Sequence, residues 1–315
     1  MGAETGSPVD ISIIIPTLSG GSLLECCLHS IFSQELKQSF EVICVDSGSS
    51  PGDLERMRRF PVRIKEIGES EFNHGLTRDL GAQMSKAAIL VFLNQDAIPG
   101  DGRWLAGITE PLLSGDQSLA AVQGGIREFP GPEGRFFWDS CGERFYFTRE
   151  SRHWISTYGE IGLSTINAAL RRCVWAHHPF GWAPIMEDKK WQKEVVAQGY
   201  RITARHDAFV FHTHNYGFRS LIRRCESEGY GWRTLGENYS LGSMLGDLIV
   251  PRVYAELIRG LFRGRIHSAA ELFFPWLRPL FLFRGNHWGR AVRHPPRSTS
   301  EAETETEPRH ARNSS

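Results

Sequence analysis

Short apolar runs, each ended by a polar break rich in glycine or aspartate, set the rhythm of the first hundred residues. Residues 11–15, 40–45 and 89–93 are too brief for helices and apolar almost throughout. Such runs read as strands buried on both faces, as in a parallel sheet covered by helices. The first breaks at Pro16-Thr17-Leu18-Ser19-Gly20-Gly21, and a helical pattern follows over residues 23–32. The second breaks at Asp46-Ser47-Gly48-Ser49-Ser50-Pro51-Gly52-Asp53, and a polar helix resumes near Leu54. The third breaks at Asn94 and turns through Pro99-Gly100-Asp101-Gly102. Repeated strand-loop-helix units predict right-handed crossovers and a parallel sheet. Three predicted strand ends therefore carry Thr17, Asp46 and Asp96, at the edge where open α/β sheets collect ligands.

The composition narrows the class. A chain of 315 residues with 41% hydrophobic content buries a real core, most simply one α/β domain with an appendage. Equal counts of Lys+Arg and Asp+Glu, 36 each, argue against a dedicated nucleic-acid binder. The six cysteines show neither C-x-x-C pairs nor chelating spacing with histidines, which argues against a disulfide framework or a zinc site and fits a reducing cytoplasm. Residues 1–10 are small and polar, and no run approaches the roughly 20 apolar residues of a membrane span, so the expectation is a protein without signal peptide or integral anchor.

The charge is uneven along the chain. Residues 219–294 hold 12 Arg and no Lys against 6 Asp+Glu, and include the arginine-interleaved apolar segment 272–284. That mixture reads as interfacial, and predicts a helical appendage in peripheral contact with an anionic membrane, a helical oligomer interface, or a plain packed extension. The expected organisation is a flexible N-terminus over 1–10, a catalytic domain over 11–218, the appendage over 219–294 and a disordered tail over 295–315.

Neither G-x-G-x-x-G after the first strand nor a G-x-x-x-x-G-K-[ST] loop occurs, which sets aside ordinary dinucleotide and P-loop enzymes. Six blocks in order carry a different resemblance. They are Ile13-Ile14-Ile15-Pro16-Thr17, Val45-Asp46-Ser47-Gly48-Ser49, Phe72-Asn73-His74-Gly75 with Thr77-Arg78-Asp79, Phe92-Leu93-Asn94-Gln95-Asp96-Ala97, Glu187-Asp188, and Phe211-His212-Thr213-His214-Asn215-Tyr216. Over about residues 10–224 the chain resembles an inverting family 2 glycosyltransferase of GT-A fold, in its rhamnosyltransferase-like branch.

That resemblance implies an α/β fold with a mostly parallel central sheet flanked by helices. It implies a nucleotide pocket lined by Pro16 and Thr17, with Asp46 accepting from the base or ribose, an assignment that coexists with an Asx turn onto Gly48. Arg78 would steady the donor diphosphate, with His74, Asn94 and Gln95 on the same donor side. Asp96 stands at the last acid of the family's D-x-D metal motif, and Asn94 stands where many members have the first. A divalent cation, Mg²⁺ or Mn²⁺, is implied, and manganese also accepts imidazole from His212 or His214. Asp188 matches the general base, with Glu187 beside it; both also suit the first turn of a predicted helix over 189–198, where negative charge complements the dipole. Asn167 and Trp182 are implied on the acceptor side, together with the aromatic-rich stretch 123–158, which core packing explains equally well.

The implied reaction moves a sugar, L-rhamnose from dTDP-rhamnose or another nucleotide-linked sugar, to a glycan or lipid-linked glycan. Two alternatives stay open: a non-catalytic nucleotide- or carbohydrate-binding scaffold, which Asn94 favours, and a sugar nucleotidyltransferase, which the lysine-free loop after the first strand disfavours.

Overall fold

The computed structural model describes residues 9–130, 136–141, 148–213 and 216–290. Its strands are β1 (Ile11–Thr17), β2 (Phe40–Asp46), β3 (Val62–Glu66), β4 (Ile89–Leu93), β5 (Ile98–Pro99), β6 (Leu119–Arg127), β7 (Asn167–Arg171) and β8 (Arg201–Phe211). Among the described residues they form one eight-stranded sheet in the order β3-β2-β1-β4-β7-β6-β8-β5. The β1–β2, β2–β3 and β1–β4 pairs are parallel, as the strand-loop-helix repeat predicts. The sheet is mixed beyond them: β7 runs antiparallel between β4 and β6, and β5 runs antiparallel to β8.

Helices α1 (Gly21–Phe32), α2 (Pro51–Arg58), α3 (His74–Met84) and α4 (Trp104–Leu113) cross between the early strands; α5 (Phe137–Ser140), α6 (Arg149–Thr157), α7 (Arg172–His177) and α8 (Glu187–Ala197) follow. Ile11, Ile13, Ile15, Val91 and Leu93 face α1 and α4 in one core, while Ile14, Leu90 and Phe92 face Phe180, Trp191 and Val195 in the other. Both sheet faces are covered, which is why β1 and β4 are apolar without alternation.

A C-terminal helical region follows: α9 (Phe218–Thr234), α10 (Leu241–Leu248), α11 (Pro251–Phe262) and α12 (Ala269–Trp288). α12 lies against α9 so closely that a Cβ on Gly285 would fall 2.0 Å from the Glu226 carbonyl oxygen. Arg278 crosses to Glu228 with a two-pronged ion pair at 2.8 and 2.9 Å. The segment 272–284, read above as interfacial, is therefore mainly a packing helix, with Phe274, Leu277, Arg278 and Leu282 buried. The described part of the aromatic stretch resolves the same way, while Arg135, Arg144, Phe145, Tyr146 and Phe147 lie outside the described residues. Trp138 stacks on Phe274 with centroids 4.8 Å apart, Trp154 meets Trp232 edge-on, and Phe137 donates its backbone N–H to Glu271 at 2.6 Å. These rings are core rather than acceptor walls, because the C-terminal helices need an apolar bed.

Among the described residues, no helix is long and apolar enough to cross a membrane.

Candidate active site

The parallel register pairs Thr17 with Asp46 at the ends of β1 and β2. There Asp46 closes the turn that leaves β2. Its Oδ1 accepts from the Thr17 and Ser49 hydroxyls, at 2.9 and 2.5 Å, and its Oδ2 from the Gly48 and Ser49 amides, at 3.1 and 2.9 Å. Four donors thus meet the Asp46 carboxylate, and the expected Asx-type turn onto Gly48 is made. Gln95, at the end of β4, clamps the neighbouring loop by taking the Leu18 N–H at 2.9 Å and donating to the Leu18 carbonyl at 3.0 Å. Thr17, Asp46 and Gln95 shape this corner, and half-buried Pro16 precedes Thr17 on β1.

The second wall is built on α3. Asn73 caps it, its Oδ1 accepting from the Gly75 and Leu76 amides at 3.2 Å each and from the Ala183 amide at 3.0 Å. The same oxygen that starts the helix thus moors the 178–186 loop. Gly75 permits the contact: a Cβ there would fall 2.0 Å from the Gly181 carbonyl oxygen. One turn on, Asp79 accepts from Trp175 Nε1 at 2.8 Å and from the Phe180 and Gly181 amides at 3.1 and 2.7 Å. Burial pushes the Asp79 pKa up against the pull of those donors. The moored loop leaves Trp182 exposed and runs into Met186, whose left-handed backbone (φ 57°) turns the chain into α8.

Glu187 and Asp188 open α8, and they differ sharply. Glu187 is buried, accepts the Thr165 hydroxyl at 2.7 Å and lies 3.3 Å from Arg78 Nη1. Burial favours its neutral form, but Arg78 and His74, with the Thr165 hydroxyl, outweigh that and hold the carboxyl below its usual range. Asp188 keeps 15% of its side chain exposed, accepts from its neighbour Lys189 N–H at 2.7 Å, and takes the Thr165 N–H at 3.4 Å. Burial raises its pKa, with Lys189 opposing and the Glu187 charge reinforcing the rise. Two adjacent carboxyls are thus driven apart, which is how an acid pair comes to divide roles.

Arg78 ties these walls to the end of β4. It is buried on α3, not a surface helix arginine; Nη2 donates to Asn94 Oδ1 at 3.0 Å, Nη1 donates to the His74 carbonyl at 3.1 Å, and Nε has no hydrogen-bond partner. Asn94 in turn donates its N–H to the Ile166 carbonyl at 3.4 Å, next to Thr165. Arg78 therefore joins Asn94 at the end of β4 to Glu187 at the start of α8.

Asp96 meets His212 through the sheet. Ile98 on β5 pairs with Phe211 on β8, so the residues flanking that pair converge, with Asp96 Oδ1 3.4 Å from His212 Nε2. No group of three or more His, Cys, Asp or Glu among the described residues forms a metal cage. A half-exposed carboxylate beside an imidazole does fit a divalent cation that completes its shell with diphosphate oxygens and water. His214 lies outside the described residues.

Asn167 is a correction. It is fully buried at the start of β7, donating to the Gly125 and Ala208 carbonyls at 2.8 and 3.1 Å and accepting from Trp104 Nε1 at 2.9 Å. Both amide protons and the carbonyl are used inside the core, so Asn167 knots β6, β7, β8 and α4 and cannot meet an acceptor. Sequence reasoning gave no role of their own to Asp79 or Met186, and took Thr165 only as part of the 164–172 stretch on the acceptor side. Asp79 alone carried a signal, a second charge next to Arg78 just before the small, apolar run Leu80-Gly81-Ala82.

The sequence model of a family described as Glycosyl transferase family 2 matches residues 12–176. The O-antigen chain rhamnosyltransferase RfbN of Salmonella typhimurium strain LT2 is 28% identical over 228 residues, 68% of this chain and 69% of its own. WbaN of Salmonella anatum, of the same description, is 29% identical over 223 residues, with the same coverage of 68% and 69%. Among solved structures, a mannosyltransferase from Pyrobaculum calidifontis in complex with GDP-Man and Mn²⁺ superposes with a TM-score of 0.58 at 18% identity, covering 89% of this chain and 88% of that one. Glucosyl-3-phosphoglycerate synthase from Mycobacterium tuberculosis, with Mn²⁺, uridine diphosphate and its product, gives a TM-score of 0.50 at 18% identity over 68% of this chain and 75% of that one.

Proposed function

The chain belongs to glycosyltransferase family 2, with a GT-A fold, and on that premise we propose that it moves a sugar from a nucleoside diphosphate to a hydroxyl of a glycan or lipid-linked glycan, inverting the anomeric carbon. L-Rhamnose carried on dTDP is the donor we put first, supported by the two relatives described as O-antigen chain rhamnosyltransferases. The observation that carries the reading is the Arg78 bridge, which joins Asn94 on the donor side to the acid pair at the start of α8.

In this reading Asp188 is the general base. It takes the proton of the acceptor hydroxyl as that oxygen bonds to the anomeric carbon, while the bond to the diphosphate oxygen breaks on the opposite face. A pKa raised by burial suits this role, because a base poised nearer neutrality removes a proton more effectively. Glu187 stays ionised and holds Arg78, whose Nε is a buried donor aimed at no protein acceptor and suited to a diphosphate oxygen. Pro16 and Thr17 line the nucleotide corner that Asp46 and Gln95 shape, His74 helps to hold the Glu187 carboxyl ionised, and Trp182 offers an exposed ring for an acceptor sugar. Asp96 and His212 would hold Mg²⁺ or Mn²⁺, which when bound offsets charge on the leaving diphosphate. Six free thiols support a reducing compartment.

Thermal-shift titration with nucleoside diphosphates and their sugars, with and without Mn²⁺, tests the donor side. A metal-dependent rise in Tm for dTDP or UDP, lost in Asp96→Ala and His212→Ala, is the expected result. Indifference to every nucleoside diphosphate would refute it.

A further inference from the structure

The C-terminal helices leave a surface that the reaction does not use. α11 packs onto the rest through Leu257 and Gly260, a Cβ on Gly260 lying 2.6 Å from the Phe137 ring. Its opposite side carries Ala255, Ile258 and Phe262, at i, i+3 and i+7, all exposed, Phe262 by 88%. Ile249, 75% exposed, precedes the helix, and a Tyr254–Trp276 ring contact joins the stripe to half-exposed Trp276 on α12. Beside it run Arg252, Arg259 and Arg263, at i, i+7 and i+11, likewise exposed, with Arg259 paired to Glu256. Residues 249–268 hold four Arg and one Glu.

We propose that this face of α11 seats the enzyme on an anionic bilayer, with Ile258 and Phe262 entering the interfacial zone and the arginine row on acidic headgroups. A short helix with an apolar stripe, a basic flank and modest overall hydrophobicity lies in the plane of a membrane surface rather than across it. The arginine row decides between a bilayer and a second copy of the chain. Antiparallel two-fold pairing of the stripe with itself would set both arginine rows side by side, where like charges repel, whereas acidic headgroups neutralise them. From the stripe, ring contacts run from Trp276 to Phe273 and on to Phe218 at the start of α9. A bilayer under α11 would bring a lipid-carried acceptor to that side, but the docking stands whether or not the sugar reading holds.

Co-sedimentation of the full-length protein with phosphatidylcholine vesicles, with and without phosphatidylglycerol, tests the proposal. The protein should pellet with mixed vesicles at low salt, and pelleting should fall steeply as salt screens the arginines. Binding should drop about tenfold or more in Ile258→Asp/Phe262→Asp, because both side chains lose their apolar partner. Arg252→Gln/Arg263→Gln should abolish the preference for phosphatidylglycerol. All these side chains are exposed, so unchanged circular dichroism and unchanged nucleotide-induced Tm shifts would show that the fold and the cleft persist. Wild-type protein that stays in the supernatant with mixed vesicles at low salt overturns the proposal, as does a double-Asp variant that pellets like wild type. A wild-type dimer by sedimentation velocity that the Asp variant breaks, with no vesicle binding by either, would assign the face to a second copy instead.

Discussion

Replacing Arg78 by Met removes the fork that spans Asn94 and Glu187 while keeping most of its volume. Arg78 and Glu187 are each 5% exposed and 3.3 Å apart. At an effective dielectric of about 20, that separation corresponds to about 5 kcal/mol of attraction, and breaking such a pair from one side costs about 3 to 5 kcal/mol, because the remaining charge stays buried. Arg78→Met and Glu187→Gln should each destabilise on that scale. The double variant should lie near the worse single, a coupling of about 3 to 5 kcal/mol in a double-mutant cycle. Urea unfolding at neutral pH measures it, with m-values checked for constancy. The pH dependence has a definite sign. Glu187 has a depressed pKa in the folded state, so its pairing stabilises above the unfolded carboxyl pKa and is lost as pH falls through the folded value. The cost of Arg78→Met should therefore shrink in acid. Effects that add within about 0.5 kcal/mol would show that the two side chains act independently and would refute the bridge.

Three further outcomes follow from the geometry. Asn167→Ala should cost about 1 to 3 kcal/mol, since Trp104 Nε1 and two carbonyls lose their partner, yet leave the acceptor KM unchanged; a large rise in KM would restore it to the acceptor side. Gly75→Ala should cost about 1 to 3 kcal/mol and reduce transfer, because the Cβ displaces the Gly181 carbonyl and the loop carrying Trp182; a variant with wild-type Tm and rate would contradict the close approach. The acid limb of kcat against pH should lie above the ordinary carboxylate range, because Asp188 must be deprotonated to act. Glu187→Gln should move that limb to lower pH, since the neighbouring negative charge raises the Asp188 pKa; a shift upward would contradict this assignment.

What the sequence announces and what it hides follow from the range of the forces involved. β4 ends where its apolar run ends, and Thr17 and Asp46 close β1 and β2 as expected, because burial on both faces and turn chemistry are local signals. β7, Asn167-Ala168-Ala169-Leu170-Arg171, carries a much weaker apolar signal, and its antiparallel insertion between β4 and β6 depends on pairing across dozens of residues. That is why a repeat of parallel units overstated the parallel part of the sheet. Asn167 shows the same limit: its three partners come from residues 104, 125 and 208, and nothing near it in sequence separates a core knot from a cleft residue. The aromatic stretch before residue 158 was ambiguous for a related reason. Ring-rich segments read alike whether they meet sugars or helices, and only the fold of α9 and α12 decides. The Asp96–His212 approach, in contrast, rests on a two-residue strand, β5, too short to carry any pattern.

The central claim is that Asp188 removes the acceptor proton, and Asp188→Asn tests it most directly, with transfer and donor binding measured on the same preparation. The account predicts transfer reduced by about a thousandfold or more, with nucleotide-induced Tm shifts preserved. Transfer at the wild-type rate by a folded Asp188→Asn protein would contradict it.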